Sequence, residues 1–467
     1  MKQKGKIHKN IRCNPPQIIL ASFLLLILAG TLLLNLPMSS RTGHSIGFLD
    51  ALFTATSAVC VTGLTVVSTQ AHWSLFGQII ILILIQVGAL GFMTLMTYGM
   101  IAFRRQISLK DQLLIQTTYN QNTLGGMIKL VKKVVVYTFA IESLGAVLLT
   151  LAFLVSEPVG FAKALFKGVF HAVSAFCNAG FDIMGDNSLI PYSSNIPVLV
   201  IMMGLIIAGG LGFTVLAELH EFVINPKRQS ARIRLIRLSL HSKIALTVTG
   251  ALTLIGMILF MLLEWTNPKT LDSLSVFGKA GAALFQSVTL RTAGFAALDQ
   301  GGLTEASKFV SCLYMLVGGS PGGTAGGIKT VTLGVILIAM LSVLKGNNRI
   351  EAFGRTLPLN LLQKALTVVG TMFIVVVVST MLLYFTEKGN PFVPTFLDLL
   401  FESSSAAGTV GLTTGVTAFL SVPGKILIIL CMFLGRLSPV AVVVALNMKS
   451  NNEKNAAGYI EEHVIIG

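Results

Sequence analysis

A short segment that occurs four times constrains this chain more than any other feature. Each copy ends a short apolar run, carries a glycine near its end, and lies between two long apolar stretches. The copies are residues 57–64, 174–181, 288–295 and 405–412, and their glycines, Gly63, Gly180, Gly294 and Gly411, are 117, 114 and 117 residues apart. Repetition at a nearly fixed period indicates four copies of one supersecondary unit.

The composition indicates that these units lie in a membrane. Of 467 residues, 54% are hydrophobic and 11% are charged, whereas soluble domains have about 25% charged residues. The net charge of +15 does not indicate a nucleic-acid partner, because the basic residues fall mostly in short stretches between apolar spans. The five cysteines are far apart and show no spacing typical of zinc or disulfide sites. We interpret them as small packing residues.

Eight stretches are each near the roughly 20 residues that a membrane helix needs. We place them at 17–36, 75–103, 131–155, 196–223, 242–264, 307–344, 365–386 and 424–447. Basic residues are concentrated in the stretches 1–16, 104–130, 225–241, 345–364 and 448–467. The positive-inside rule therefore places both termini and all three linkers in the cytoplasm. The first span is too long for a signal peptide and has no clear cleavage site.

Successive spans pair around the four glycine segments. The resulting units are repeat 1 (17–103), repeat 2 (131–224), repeat 3 (242–344) and repeat 4 (365–447). In each, we expect a helix of about ten residues, too short to cross a bilayer, to begin near Leu52, Leu165, Leu284 and Leu400. Irregular backbone at membrane depth must be buried in protein or line water. The predicted fold is an all-α polytopic membrane protein of four span–re-entrant helix–span repeats around a central, potassium-channel-like pore.

The turn after each short helix is a candidate cation site. A helix C-terminus carries a negative dipole end, glycine permits the necessary backbone dihedrals, and carbonyl oxygens can replace part of a hydration shell. The predicted filter residues are Val61, Thr62, Gly63, Asn178, Ala179, Gly180, Thr292, Ala293, Gly294, Thr409, Val410 and Gly411. One such glycine alone would more often mark a tight turn or close helix packing, but four at equivalent positions favour a pore. The third copy places Arg291 beside its turn, so perfect fourfold symmetry is not expected.

These four segments resemble those of the Ktr/Trk/HKT superfamily of potassium transporters, over nearly the whole chain. The match is nearest to the bacterial Ktr membrane subunits of KtrB type, because Trk-type relatives usually carry an extra helical pair before the first repeat. Some plant relatives that favour sodium have serine where this chain has Gly63. The resemblance implies potassium uptake into a bacterium across its plasma membrane, a homodimer with one pore per chain, and a cytosolic nucleotide-binding regulatory subunit of KtrA type. Sodium dependence is a further family expectation.

Within the span 307–344, six glycines and a proline interrupt the apolar pattern and cannot hold a helix. This glycine-rich loop, residues 318–330, is the predicted gate, and the corresponding loop is considered the gate in the family that the chain resembles. The predicted gate residues are Gly318, Gly319, Ser320, Gly322, Gly323, Thr324, Gly326, Gly327, Lys329 and Arg436. The alternative is a kink that serves only packing. The loop has the wrong spacing for a phosphate-binding loop and follows no strand, so we expect no nucleotide to bind this chain.

Charged residues inside the apolar spans need an explanation. Arg436 interrupts the last span, where an arginine costs roughly 2.5–3.5 kcal/mol to insert. It could repel cations or hold the gate loop through its carbonyls, and the alternative is a snorkelling side chain. We interpret Glu142 as a structural partner of a polar neighbour. The acids outside the filter are expected to be mostly solvated and to concentrate cations; they are Asp50, Asp182, Asp186, Asp272, Asp299, Asp398 and Glu402.

The sequence favours a gated potassium pore over two other functions. The membrane potential supplies about 2.3 kcal/mol per elementary charge per 100 mV, so uptake needs no ATP site. An ion-coupled secondary transporter for another small solute is the alternative; it should show paired broken helices and intramembrane carboxylates. Only one span is obviously broken, and only Glu142 lies deep. No constellation of His, Asp, Glu or Cys indicates a membrane-embedded enzyme.

Overall fold

A computed structural model describes residues 15–102, 127–156, 158–185, 187–224, 238–347, 349–390 and 392–437. The predicted cytoplasmic stretches 1–16 and 448–467, most of the linkers 104–130 and 225–241, and the end of the last span lie outside these residues, apart from a few positions at their edges. Within them, the chain is helical except for turns and one hairpin of two short strands, β1 (Glu351–Ala352) and β2 (Arg355–Thr356).

The helices form four successive units of similar construction. The first contains α1 (Pro15–Leu34), α2 (Phe48–Val59), α3 (Thr69–His72), α4 (Leu75–Leu90) and α5 (Phe92–Ala102), and the second α6 (Met127–Ser156), α7 (Phe161–Cys177), α8 (Ile196–Leu211) and α9 (Phe213–Ile224). The third contains α10 (Leu240–Glu264), α11 (Val276–Thr289), α12 (Glu305–Met315) and α13 (Thr330–Leu344), and the fourth α14 (Leu359–Thr386), α15 (Phe396–Gly408) and α16 (Val422–Leu437). Each unit therefore has a long helix, a short helix and a second, often interrupted, helix.

The first helices of the four units are long and apolar enough to cross a membrane. They are α1, α6, α10 and α14, and the bent pair α8–α9 makes a fifth candidate if it counts as one span. The predicted spans 75–103 and 196–223 are wrong as continuous helices. The first breaks at Gly91 and the second at Gly212, where the axis bends by 108°. Both glycines have positive φ, +78° and +87°, a conformation that ends a helix and that glycine adopts without strain.

The four short helices, α2, α7, α11 and α15, begin earlier than predicted. They have 12, 17, 14 and 13 residues rather than about ten. Capping accounts for two of these starts: the side chains of Ser275 and Thr395 accept hydrogen bonds from backbone N–H groups of α11 and α15, and Thr395 forms a capping box with Asp398. The leucine at which each start was predicted lies inside the helix, at least one turn after its first residue.

In the third and fourth units, a buried carboxylate connects the end of the first helix to the start of the second helix. At the end of α10, Glu264 accepts hydrogen bonds from the backbone N–H and hydroxyl of Thr304, the N-cap of α12. At the end of α14, Glu387 accepts hydrogen bonds in the same way from Ser421, which precedes α16. An asparagine three residues later donates to each carboxylate. Donors that flank the ends of two helices thus compensate each buried charge.

Glycines bring three of the second helices into contact with the C-terminal ends of the short helices. A Cβ atom on Gly88, Gly209 or Gly435 would lie 2.1, 1.8 or 2.1 Å from the carbonyl oxygen of Val59, Phe176 or Ala407, respectively. Each of these carbonyls lies four residues before the recurring glycine of its own unit. We call Gly88, Gly209 and Gly435 the contact glycines. They fix the position of each second helix relative to its short helix, because no other residue fits.

The contact glycines can be tested inside one helix, since α8 also contains Gly204, around which space is open. Gly204→Ala should leave thermal stability unchanged or raise it, because alanine favours a helix by about 1 kcal/mol over glycine. Gly209→Ala should lower it, because overpacking costs roughly 1–3 kcal/mol or more. Thermal unfolding of the two purified variants in detergent measures this. Equal stability would contradict the close packing.

Candidate functional site

The four recurring turns lie together at the ends of the four short helices. We call residues 61–63, 178–180, 292–294 and 409–411 the glycine turns. A Cβ atom on each recurring glycine would collide with the carbonyl oxygen of the residue before the next glycine: Gly63 with Ala179 at 2.5 Å, Gly180 with Ala293 at 3.0 Å, Gly294 with Val410 at 2.3 Å, and Gly411 with Thr62 at 2.2 Å. The sequence of contacts returns to its start, so the turns form a closed ring lined by backbone.

Each turn contains two residues with positive φ. The recurring glycines have φ of +97°, +71°, +81° and +95°. Two residues before them, Val61, Asn178, Thr292 and Thr409 have φ of +57°, +57°, +69° and +52°. Such angles are uncommon outside glycine and are outliers for β-branched residues, at a cost of roughly 1–3 kcal/mol each. Sequence reasoning missed this second position, for which only the asparagine gives a signal, because asparagine tolerates the left-handed region.

Backbone hydrogen bonds shape the turns in nearly the same way. In the second turn, the N–H of Ala179 donates to the carbonyl of Ser174 at 2.8 Å, and that of Asn178 donates to Ala175 at 3.1 Å. The first and fourth turns repeat this pattern, which is a Schellman motif with a residue other than glycine in the left-handed position. The third turn differs, because the N–H groups of Ala293 and Gly294 both donate to Thr289.

A hydroxyl from each short helix fixes the outgoing end of its turn. In the first and fourth turns, the N–H groups of Gly63 and Gly411 donate to Ser57 Oγ and Ser405 Oγ, both at 3.0 Å. In the second and third turns, the hydroxyls donate instead to the carbonyl of the phenylalanine after the glycine, from Ser174 at 2.6 Å and from Thr289 at 2.7 Å. The ring therefore has two kinds of turn.

The glycine-rich loop is docked on the break between α8 and α9. The N–H groups of Ser320 and Thr324 donate to the carbonyls of Gly210 and Gly209, at 2.7 and 3.2 Å. In return, the N–H of Phe213 donates to the carbonyl of Gly322 at 3.1 Å. The helix break frees backbone groups that the loop then satisfies, so each irregular segment supports the other.

The same loop packs against side chains of three glycine turns. Asn178 Nδ2 donates to Thr324 Oγ1 at 2.9 Å. A Cβ atom on Gly326 would lie 2.1 Å from Thr409 Oγ1, and one on Gly318 would lie 3.0 Å from Thr292 Cγ2. The predicted gate residues and the predicted filter residues are thus in direct contact.

Two basic side chains donate hydrogen bonds to carbonyls of the loop. Arg436 donates to the carbonyl of Thr324 and, through Nη2, to the carbonyls of Gly88 at 2.9 Å and Ala89 at 3.3 Å. Lys329 Nζ donates a hydrogen bond to the carbonyl of Ala325 at 2.5 Å. Arg436 therefore connects the loop to the end of α4 beside the break at Gly91. These contacts correspond to the interpretation in which Arg436 holds the loop through the loop's carbonyls.

The acidic residues are only partly as expected. The expectation of solvated acids is wrong for Glu402 and Asp398, which are buried in α15. Glu402 accepts hydrogen bonds from Thr413 and Thr417, and Asp398 pairs with Lys308 at 3.0 Å. Glu142 accepts a hydrogen bond from Gln86 at 3.2 Å and contacts Cys177 at 3.6 Å. Asp186 lies outside the described residues. Among the described residues, no group of three or more His, Cys, Asp or Glu could hold a metal ion.

Comparisons with known proteins agree with one another. Residues 4–456 match the TrkH family model, described as a cation transport protein. The potassium/sodium uptake protein NtpJ of Enterococcus hirae is 40% identical, over 99% of both chains. The Ktr system potassium uptake protein B of Bacillus subtilis is 39% identical, over 100% of this chain and 99% of that one. The crystal structure of the potassium transporter TrkH from Vibrio parahaemolyticus has the same fold, with a TM-score of 0.72 at 18% identity, over 95% of this chain and 87% of that one.

The hydroxyls that fix the turns can be tested against a neighbour on the same helix. Ser405→Ala removes the acceptor of a buried N–H, which costs about 1–3 kcal/mol. Ser403→Ala removes a buried hydroxyl that has no hydrogen-bond partner, so it should be neutral or stabilising. Thermal unfolding of both purified variants measures the difference. A loss of the same size in both would contradict the role assigned to Ser405.

Proposed function

We propose a potassium uptake pore for this chain, which belongs to the TrkH family of cation transport proteins. The observation that carries the proposal is the closed ring of contacts among the four glycine turns. Carbonyl oxygens are the ligands with which a filter replaces the hydration shell of potassium. In our proposal, the residues 61–63, 178–180, 292–294 and 409–411 form that filter.

The membrane arrangement is part of the same proposal. Eight spans, with the short helices re-entering from the outer side, place both termini in the cytoplasm and the ring at the outer end of the pore. The inward membrane potential then drives potassium through a bacterial plasma membrane without a nucleotide bound to this chain. The relative from Enterococcus hirae is named for sodium as well as potassium, so sodium is the second ion that transport assays should include.

We further propose that the glycine-rich loop closes this pore from the cytoplasmic side. Its contacts with three of the four turns support this position. Arg436 stabilises the loop there, and Lys329 bridges residues within the loop. Opening requires the loop to leave the turns. Two relatives are named as parts of Ktr systems, which supports a transport system with more than one component. In our proposal, this chain forms a homodimer controlled by a cytosolic nucleotide-binding subunit of KtrA type.

The broken helices also favour an ion-coupled secondary transporter more than the sequence indicated, since Gly91 and Gly212 interrupt two further second helices. Against this, the buried carboxylates Glu264, Glu387 and Glu402 are each occupied by hydrogen-bond donors. Measurement of transport as a current separates the two functions. A pore passes many ions per opening, whereas a carrier shows a fixed coupling ratio.

The filter assignment predicts that Gly180→Ser reduces potassium uptake, or its preference over sodium, in cells that lack other potassium transporters. The reason is the collision with the Ala293 carbonyl. Gly63, Gly294 and Gly411 should respond alike. Gly43→Ser is the control, because Gly43 has the same φ of +71° but no atom within 4 Å of its Cβ position. If selectivity survives in all four ring variants, the assignment is wrong.

The gate assignment predicts excess potassium flux when the loop is released. A deletion within 318–327 should remove control by the partner. Arg436→Gln should shift the equilibrium toward the open pore by roughly tenfold or more, since a hydrogen bond to a charged group contributes about 1.5–3 kcal/mol. Arg349→Gln, at an exposed position, is the control. Uptake of rubidium by proteoliposomes measures the flux, and unchanged flux at equal protein content would refute the gate.

A further inference from the structure

One position of the short helices is polar and buried in all four units. It is the residue directly after a fully buried phenylalanine, and its occupants, in chain order, are Thr54, His171, Gln286 and Glu402. All four side chains are at most 1% exposed. A buried polar side chain costs free energy unless it has hydrogen-bond partners. The partners at this position therefore show what each residue contributes.

In the fourth unit, Glu402 reaches from the middle of α15 to the outgoing segment, by which we mean the residues that follow a glycine turn. Its two carboxylate oxygens accept hydrogen bonds from the hydroxyls of Thr413 and Thr417, the latter at 2.8 Å. These threonines lie two and six residues after Gly411. The buried carboxylate therefore fixes the outgoing segment to the short helix of the same unit.

Gln286 makes the equivalent connection in the third unit with a neutral amide. Its Nε2 donates to Gln300 Oε1 at 2.7 Å, and Gln300 Nε2 donates to Gln286 Oε1 at 3.1 Å. Gln300 lies six residues after Gly294, the same interval as that from Gly411 to Thr417. Because this contact is made without a charge, the two units share the hydrogen bond and not the carboxylate.

His171 makes the connection in the second unit. Its Nδ1 lies 2.7 Å from the carbonyl of Lys167, and a carbonyl can only accept, so the hydrogen is on Nδ1. Nε2 is then an acceptor, and the backbone N–H of Ile183 donates to it at 3.4 Å. Ile183 lies three residues after Gly180. The histidine is thus a neutral acceptor that holds the outgoing segment.

The first unit departs from this pattern. The Thr54 hydroxyl donates at 2.9 Å to the carbonyl of Asp50, one turn earlier in α2. Its hydrogen bond therefore stays within the short helix, which makes Thr54 a natural comparison for the other three residues. We call those three, His171, Gln286 and Glu402, the anchors.

We propose that the anchors are positioning residues of the filter, which hold its outgoing segments and thereby set its preference for potassium over sodium. This role rests on the proposed pore and requires no contact between the anchors and the ion. Each outgoing segment continues directly from a recurring glycine, so a fixed segment limits the movement of the neighbouring carbonyls. Sodium is smaller than potassium, and the carbonyls must move inward to replace its hydration shell. Loss of an anchor therefore weakens discrimination against sodium.

Competition measures this preference independently of the amount of folded protein. Sodium and potassium are each titrated against rubidium uptake by proteoliposomes that contain the full-length protein. The readout is the ratio of the sodium concentration to the potassium concentration that halves uptake. Glu402→Leu should lower this ratio roughly tenfold. Glu402→Gln should keep most of it, because an amide can still bond to Thr417, as Gln286 bonds to Gln300.

The glutamine pair separates ion preference from stability. Gln286→Leu leaves the Gln300 amide without its partner, whereas Gln286→Leu/Gln300→Leu removes both and avoids that penalty. In thermal unfolding, the double variant should be more stable than the single one. The competition ratio should nevertheless fall in both, because neither variant holds the outgoing segment. A ratio that recovers together with stability in the double variant would mean that the pair serves only folding.

Thr54→Val is the matched control, since it changes the equivalent position in the unit that lacks an anchor, and its ratio should not change. Thr417→Val is a milder companion to Glu402→Leu, because it removes one donor with little change of shape, and it should lower the ratio in the same direction. Unchanged ratios in Glu402→Leu and Thr417→Val, or an equal fall in Thr54→Val, would overturn the role of the anchors and leave the proposed pore intact. Absence of potassium-inhibited rubidium uptake by the unaltered protein would instead refute the pore itself.

Discussion

The structure depends on the approach of four backbone turns to within a distance that no side chain permits. Each recurring glycine faces the carbonyl of the next turn, and a single methyl group would collide at 2.2–3.0 Å. To reach this arrangement, the chain accepts left-handed backbone at four positions that are not glycine. The Schellman hydrogen bonds and the hydroxyls of the short helices hold those positions. Buried interactions on all sides are what allow a strained backbone to persist.

The region below the ring is built from broken helices rather than from continuous ones. Where α8 stops at Leu211, its free carbonyls accept hydrogen bonds from the loop. Where α4 stops at Leu90, its carbonyls accept the Arg436 guanidinium. The loop has thirteen residues with little regular structure of its own. Its backbone polar groups nevertheless find hydrogen-bond partners at the ends of neighbouring, interrupted helices. Interruption of one helix therefore stabilises irregular backbone in another.

The overall plan could be predicted from the sequence because it depends on repeated segments and on the hydrophobicity of successive stretches. Both can be read along the chain without knowing which elements meet in the fold. The four units, the short helices, the broken third repeat and the position of Arg436 near the loop all follow from patterns of that kind. The breaks at Gly91 and Gly212 could not, because one glycine in an apolar run looks the same whether the helix continues or ends. The contact glycines and the burial of Glu402 depend on which elements meet, and neither property is local in the chain.

The third unit differs from the others in what its second helix touches. In the first, second and fourth units, a contact glycine presses the second helix onto the short helix of the same unit. In the described residues of the third unit, α12 ends at Met315, and the carbonyl of Met315 instead lies against Gly408 at the end of the fourth short helix. In three units the second helix is thus held against the short helix of the same unit, while the end of α12 in the unit that carries the loop packs against the short helix of the next unit. Displacement of α12 therefore acts directly on the C-terminal end of the fourth short helix.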